Sequence, residues 1–98
     1  MTIRMEKQAG VLTLAPEGRV DTITAPELET AIKENLDGVT SLIFDLSDLE
    51  YVSSAGLRVL LAAQKAMNAQ GEMKVCHVNE TVLEIFEVTG FSDILTIE

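Results

Sequence analysis

The run Ser41-Leu42-Ile43-Phe44-Asp45-Leu46 is short and apolar on both parities, the pattern of a strand covered on both faces by other elements. Such a strand demands helices, and the flanking sequence supplies them. Before the run, Leu28, Ala31, Ile32 and Asn35-Leu36 recur at helical spacing until Asp37-Gly38 stops the pattern. Thr24-Ala25-Pro26-Glu27 has the spacing of a capping box, with Pro26 in the first turn where no hydrogen bond is lost. After the run, Ala55 to about Ala69 is rich in Ala, Leu, Gln, Lys and Met, which predicts a helix roughly 22 Å long ended by Gln70-Gly71. Met73 to Val78 repeats the strand signal, and both strands are expected at the centre of a sheet. Asn79 caps a third helix through about Val88, and Ile94-Leu95-Thr96-Ile97 is expected as a last short strand.

The N-terminus reads as a hairpin. Ile3 and Met5 alternate with Arg4 and Glu6, Gln8-Ala9-Gly10 turns the chain, and Val11 to Ala15 returns it. Pro16-Glu17-Gly18 breaks the pattern, Arg19-Val20-Asp21 leads into the first helix, and Ser47 to Val52 reads as a loop. The resulting order predicts an α/β fold, a four- to five-stranded mixed sheet with α-helices packed on it. The 98 residues suffice for one domain, spanning 1–98.

Composition removes several function classes. Seven Lys and Arg against 16 Asp and Glu leave a net charge of −9, which opposes both a phosphate backbone and an anionic membrane. Nucleic acid is therefore not expected as a partner, and no window is long and apolar enough for a membrane span. Cys76 is the single cysteine and His77 the single histidine, too few for a structural zinc site or an internal disulfide. No metal or cofactor is expected, and a reducing, cytoplasmic location fits. A hydrolytic serine would need a base and a G-x-S-x-G turn; the motif is absent, and His77 reads as a core or strand-end residue. Nucleotide-binding glycine loops are absent as well.

The informative stretch runs from Phe44 to Leu61. A strand and a loop deliver Ser53-Ser54 to a helix start, where free N–H groups and the positive end of the macrodipole face outward. A hydroxyl there can cap the helix or carry a phosphate, and either serine can be the cap. Gly56 lies just inside the helix, where glycine costs up to about 1 kcal/mol against alanine, so it points to a close backbone approach. Leu57, Leu60, Leu61 and Met67 make the core-facing stripe. Arg58, Ala62, Lys65 and Ala69, with Val59 and Ala66 at the margin, fall on the outer side. Small outer residues either admit a partner or simply favour the helix.

This stretch resembles the signature of STAS domains of the anti-sigma factor antagonist type, in which a strand and loop lead to Ser, then Ser/Thr/Ala, then Gly-Leu at a helix start. The likeness extends to Gly18-Arg19-Val20-Asp21, to Thr24-Ala25-Pro26-Glu27 and to Thr89-Gly90-Phe91. It implies that Ser54 is phosphorylated by a partner that is both anti-sigma factor and serine kinase, with a phosphoserine phosphatase as the resetting activity. It implies no catalysis by the chain itself. Two positions depart from the family pattern: Ser53 stands where many switching members carry Asp, and Ala55 follows the acceptor. Asp21, Ser53, Ala55 and Gly56 are expected at the partner-binding surface. Leu57, Arg58, Ala62 and Lys65 extend it along the helix, and Asp45 and Asp48 are candidates to sharpen repulsion of a phosphate. The alternative is a non-switching STAS subunit of a membrane transport or signalling complex, in which Ser54 is only a cap.

Overall fold

A computed structural model describes residues 1–98. Strands β1 (Ile3–Gln8) and β2 (Val11–Pro16) form the expected antiparallel hairpin. Its two-residue turn places Ala9 and Gly10 at φ of 50° and 83°, the left-handed pair that matches the twist of the strands. β4 (Ser41–Asp45) lies parallel to β2, and β6 (Glu72–Cys76) lies parallel to β4, giving a mixed sheet ordered β1-β2-β4-β6. β3 (Gly18–Val20) and β5 (Leu49–Val52) pair in parallel as a separate ribbon. The segments read as a helix approach and a loop are therefore strands, each too short to show a period of two.

Three helices complete the fold: α1 (Ala25–Asn35), α2 (Ser54–Gln70) and α3 (Glu80–Thr89). α2 packs on β5 and β6, α1 on α2, and α3 on β5. The sheet face turned to them carries Leu12, Leu14, Leu42, Phe44, Met73 and Val75, none more than 2% exposed. One cluster of 22 buried residues joins both sheets and all three helices, so the ribbon belongs to the same core as the sheet.

The opposite face is open, which corrects the expectation that β4 is covered on both sides. Burial alternates along β4, with Ser41, Ile43 and Asp45 only half-buried. Ile43 stands in register with Thr13 and Lys74, and this mixed row faces outward. The placement of β6 is a second correction: β4 is interior, whereas β6 is the last strand of the sheet. The C-terminal segment covers it at one register only, where the Val75 amide donates to the Thr96 carbonyl at 2.8 Å and the Glu98 amide donates to the Val75 carbonyl at 2.9 Å. The strand expected at Ile94-Leu95-Thr96-Ile97 is thus reduced to one bridge at Ile97, because the 3-10 turn at Phe91–Asp93 draws in the amides of Ile94 and Leu95, which donate to the Phe91 carbonyl at 3.0 and 2.8 Å. Charged Glu72 and Lys74 suit an edge, where they discourage pairing with a further strand.

The capping box is a third correction. Thr24 makes no cap bond to α1; its hydroxyl donates to the Arg19 carbonyl at 2.8 Å and accepts from the Asp21 amide at 2.9 Å. Asp21 instead closes the turn before α1, its carboxylate accepting the amides of Ile23 and Thr24, each at 3.0 Å, while the Glu27 amide donates to the Thr24 carbonyl at 3.0 Å. At α3 the expected cap forms: the Asn79 side chain accepts the Val82 amide at 2.8 Å. Its amide nitrogen also donates to the Leu49 carbonyl at 2.7 Å, tying the helix start to β5.

That double role makes a prediction. Asn79→Ala should lower stability by ~1–2 kcal/mol, a fall in Tm of several degrees. Asn79→Asp should fall too, because it keeps the cap but leaves the Leu49 carbonyl without its donor. Thermal unfolding that shows Asn79→Asp as stable as the original would reduce Asn79 to a cap alone.

Candidate functional site

β5 ends at Val52, and Ser53 follows in extended conformation with φ −89° and ψ 177°. Its Oγ accepts the Gly56 amide at a long 3.4 Å, making Ser53 the N-cap of α2. Ser54 is then the first helical residue, and its side chain is exposed. The structure thus separates two roles the sequence left open, with the cap on Ser53 and a free-standing hydroxyl on Ser54.

The helix start is held against the β3–β5 ribbon. The Ser53 amide donates to the Val20 carbonyl at 2.8 Å, and Gly56 meets both strands directly. A Cβ on Gly56 would stand 2.6 Å from Val52 Cγ2 and 2.7 Å from Val20 Cγ1, closer than side chains pack. The missing side chain lets α2 settle onto the ribbon.

The expected partner-binding residues divide by exposure. Arg58, Ala62 and Lys65 are exposed with Ser54, and Asp21, Ser53 and Ala55 are half-buried beside it. Gly56 and Leu57 are buried, so they shape the surface from beneath instead of forming it. Val59, read as marginally outer, is only 6% exposed, and Leu61, read as core-facing, is half-buried. Ala55, Arg58 and Val59 line a shallow cavity of about 230 Å³ with Thr22, Pro26 and Glu29 of the α1 start. Val59 and Glu29 also border a narrower apolar groove of about 110 Å³ that continues past Ile32, Leu36, Ala62 and Ala66. The surface beside Ser54 is therefore a seam between two helices, and α1 contributes a side of it that the sequence did not reveal.

Ile23 is the residue sequence reasoning missed. It is 82% exposed in the turn between β3 and α1, next to the Asp21 and Thr24 hydrogen bonds. The available signal was a β-branched apolar residue in a turn, outside both helical and strand patterns. Asp21 itself titrates below the usual carboxylate range: the Thr24 amide is the main cause, burial opposes it, and the Ile23 amide, the Thr24 hydroxyl and the Arg19 charge add to the lowering. The other two carboxylates are engaged elsewhere, Asp48 with Arg4 at 2.6 Å and Asp45 with His77 at 3.0 Å. His77 lies just beyond β6 with a side chain 66% exposed, a strand-end residue and not a core one. Asp45, Cys76 and His77 bring their ligand atoms within 4.8 Å of one another. No helix is long and apolar enough to cross a membrane.

The fold has known counterparts. The STAS domain model matches residues 2–98, and the chain belongs to the STAS domain family. BtrV of Bordetella bronchiseptica, provisionally described as an anti-sigma factor antagonist, is 37% identical over 99 residues, covering 99% of this chain and 85% of BtrV. The crystal structure of an anti-sigma factor antagonist from Mycobacterium paratuberculosis superposes with a TM-score of 0.88 at 28% identity, over 98% of this chain and 83% of that one. The Bacillus cell fate determinant SpoIIAA in its phosphorylated form shares the fold, with a TM-score of 0.76 at 16% identity over 99% and 91% of the two chains.

Two outcomes test this local architecture. Gly56→Ala should destabilise by ~1–3 kcal/mol through overpacking, although helix propensity alone would favour it by about 1 kcal/mol. Denaturant unfolding decides between the two signs. For Asp21, a lowered folded pKa means that its charge contributes stability above an unfolded value of ~3.9 and loses it as pH falls through the folded value. The original should therefore exceed Asp21→Asn in stability at neutral pH, and that margin should shrink in acid. A margin that does not change with pH would show that the charge is not what the Ile23 and Thr24 amides stabilise.

Proposed function

We propose that the protein is an anti-sigma factor antagonist that works by partner switching. Unphosphorylated, it binds an anti-sigma factor that is also a serine kinase, and so frees a sigma factor. Phosphate on Ser54 ends the binding, and a phosphoserine phosphatase restores it. On this reading the chain is the substrate of a kinase, not itself an enzyme, and it works in the cytoplasm with its sigma factor.

The observation that carries the reading is the exposed hydroxyl of Ser54 at the first position of α2, with the capping duty already filled by Ser53. Family membership and the descriptions of BtrV and the Mycobacterium protein support it. A phosphate adds a charge of about −1.5 to −2 and three acceptor oxygens. At a helix N-terminus such a charge is stabilised by roughly 0.3–1 kcal/mol when exposed, so the domain has no reason to unfold. Phosphorylated SpoIIAA keeps this fold, which supports the same point.

The inhibition then acts across the interface. A partner that has buried the neutral hydroxyl against acidic or apolar groups meets repulsion and a desolvation penalty once the phosphate is present. Arg58 and Lys65 are exposed cations on the same helix in a chain of net charge −9, so they favour an acidic partner surface. That is the surface a phosphate would repel. The seam between α1 and α2 gives the partner an apolar seat, and Ile23 offers an exposed side chain in the turn that leads into α1.

With the purified kinase and ATP, Ser54→Ala should bind the partner and take up no phosphate, while Ser53→Ala should still be modified. Ser54→Asp should bind at least ~10-fold more weakly with an intact helix, since the Ser53 cap is untouched. Ala62→Glu should weaken binding similarly without moving Tm. Phosphate uptake by Ser54→Ala would refute the assignment. Full binding by Ser54→Asp would favour the non-switching subunit, in which the same face docks constitutively.

A further inference from the structure

Asp45 and Cys76 end two adjacent parallel strands and stand directly in register, both on the open face of the sheet. Residues that alternate along a strand point to opposite faces, so His77 would ordinarily aim away from its neighbour. It does not, because its backbone adopts φ +59°, a left-handed conformation uncommon for a residue with a Cβ. The turn brings Nδ1 back to within 3.0 Å of Asp45 Oδ1. A thiol, an imidazole nitrogen and a carboxylate oxygen consequently lie within 4.8 Å of one another.

We propose that Asp45, Cys76 and His77 form a binding site for a divalent transition metal, with zinc as the best match to the donors. Zinc is borderline-soft and takes sulfur, nitrogen and oxygen ligands in tetrahedral sites, whereas magnesium and calcium prefer oxygen throughout. Closed structural sites use four protein ligands, but three protein ligands and one open position make a complete site of a different kind. Here the open position faces solvent, because the His77 side chain is 66% exposed. The Cys76 sulfur would lose its proton to solvent as the zinc–sulfur bond forms, and the His77–Asp45 contact would be replaced by two bonds to the same ion. The frame is already braced: the Leu46 amide donates to the Cys76 carbonyl at 2.9 Å, fixing the two strand ends. The ion would clamp the edge strand β6 to interior β4 and leave a coordination position for water or a partner's side chain. This site lies apart from the Ser54 surface and does not depend on the switching proposal.

The test uses tag-free, full-length protein titrated with zinc ion against a chromophoric chelator, and with cobalt ion as a spectroscopic probe. The expected result is one equivalent bound, a thiolate-to-cobalt charge-transfer band, and a Tm raised by more than ~5 °C at zinc well above Kd. Cys76→Ser should abolish that band, and Cys76→Ser, His77→Ala and Asp45→Ala should each weaken zinc binding by at least ~10-fold. Circular dichroism without metal checks folding, and the exposed His77 provides a variant whose fold is least at risk. Absence of one-equivalent binding, or unchanged affinity in any one of the three variants, would overturn the proposal.

Discussion

The contact between Gly56 and the valines of two strands governs how the candidate surface around Ser54 is built. Val20 and Val52 come from β3 and β5, and with a Cβ distance of only 2.6–2.7 Å available, α2 meets them through its backbone. The Ser53 amide bond to the Val20 carbonyl then fixes where the helix begins. Once that start is fixed, Ser53 must cap, Ser54 must face out, and the side chains three and four residues on follow the helical period. Arg58 and Ala62 reach the surface for that reason, while Leu57 and Leu60 are driven into the core. The ribbon is a small element, yet it sets the position of the serine relative to α1 and therefore the shape of the seam beside it.

Charge and packing work together at this surface. Asp21 uses its carboxylate to close the turn before α1, which holds Ile23 outward and brings the Ala25 amide to its own carbonyl at 2.8 Å. The same residue thus positions one wall of the seam and supplies a negative charge near the helix that carries Ser54. Arg19, which adds to the lowering of Asp21, also stacks over the Tyr51 ring with its guanidinium 4.4 Å from the centroid, so cation–π attraction joins the two ribbon strands on their outer side. These groups fix the local field before any partner arrives.

Much of this was legible in the sequence, and the failures have identifiable causes. The hairpin, the three helices, β4 and the Asn79 cap follow from period, turn chemistry and propensity. The ribbon was missed because Gly18–Val20 and Leu49–Val52 are too short for a pattern, and their pairing is a tertiary fact. Ile43 suggested two covered faces, but one apolar residue between Ser41 and Asp45 did not outweigh its polar register neighbours. Thr24 and Glu27 had the spacing of a capping box, yet the Thr24 hydroxyl is taken by the Arg19 carbonyl and the Asp21 amide, and Glu27 pairs with the amino group of Met1. At the candidate site, the family signature singled out Ser54, which the structure shows exposed at the first position of α2, whereas the α1 wall and Ile23 required the folded chain. The gathering of Asp45, Cys76 and His77 was invisible for the same reason, since it depends on strand register and on one left-handed residue.

The central claim is that a phosphate on Ser54 acts on a preformed surface and leaves the domain folded. Amide chemical shifts of the free protein, compared before and after stoichiometric phosphorylation, test it most directly. The account predicts changes confined to the first turns of α2, the Val20–Thr24 segment and the facing part of α1, with Tm nearly unchanged. Shifts spread through β2, β4 and α3, or a large loss of Tm, would contradict it and make the switch a conformational one.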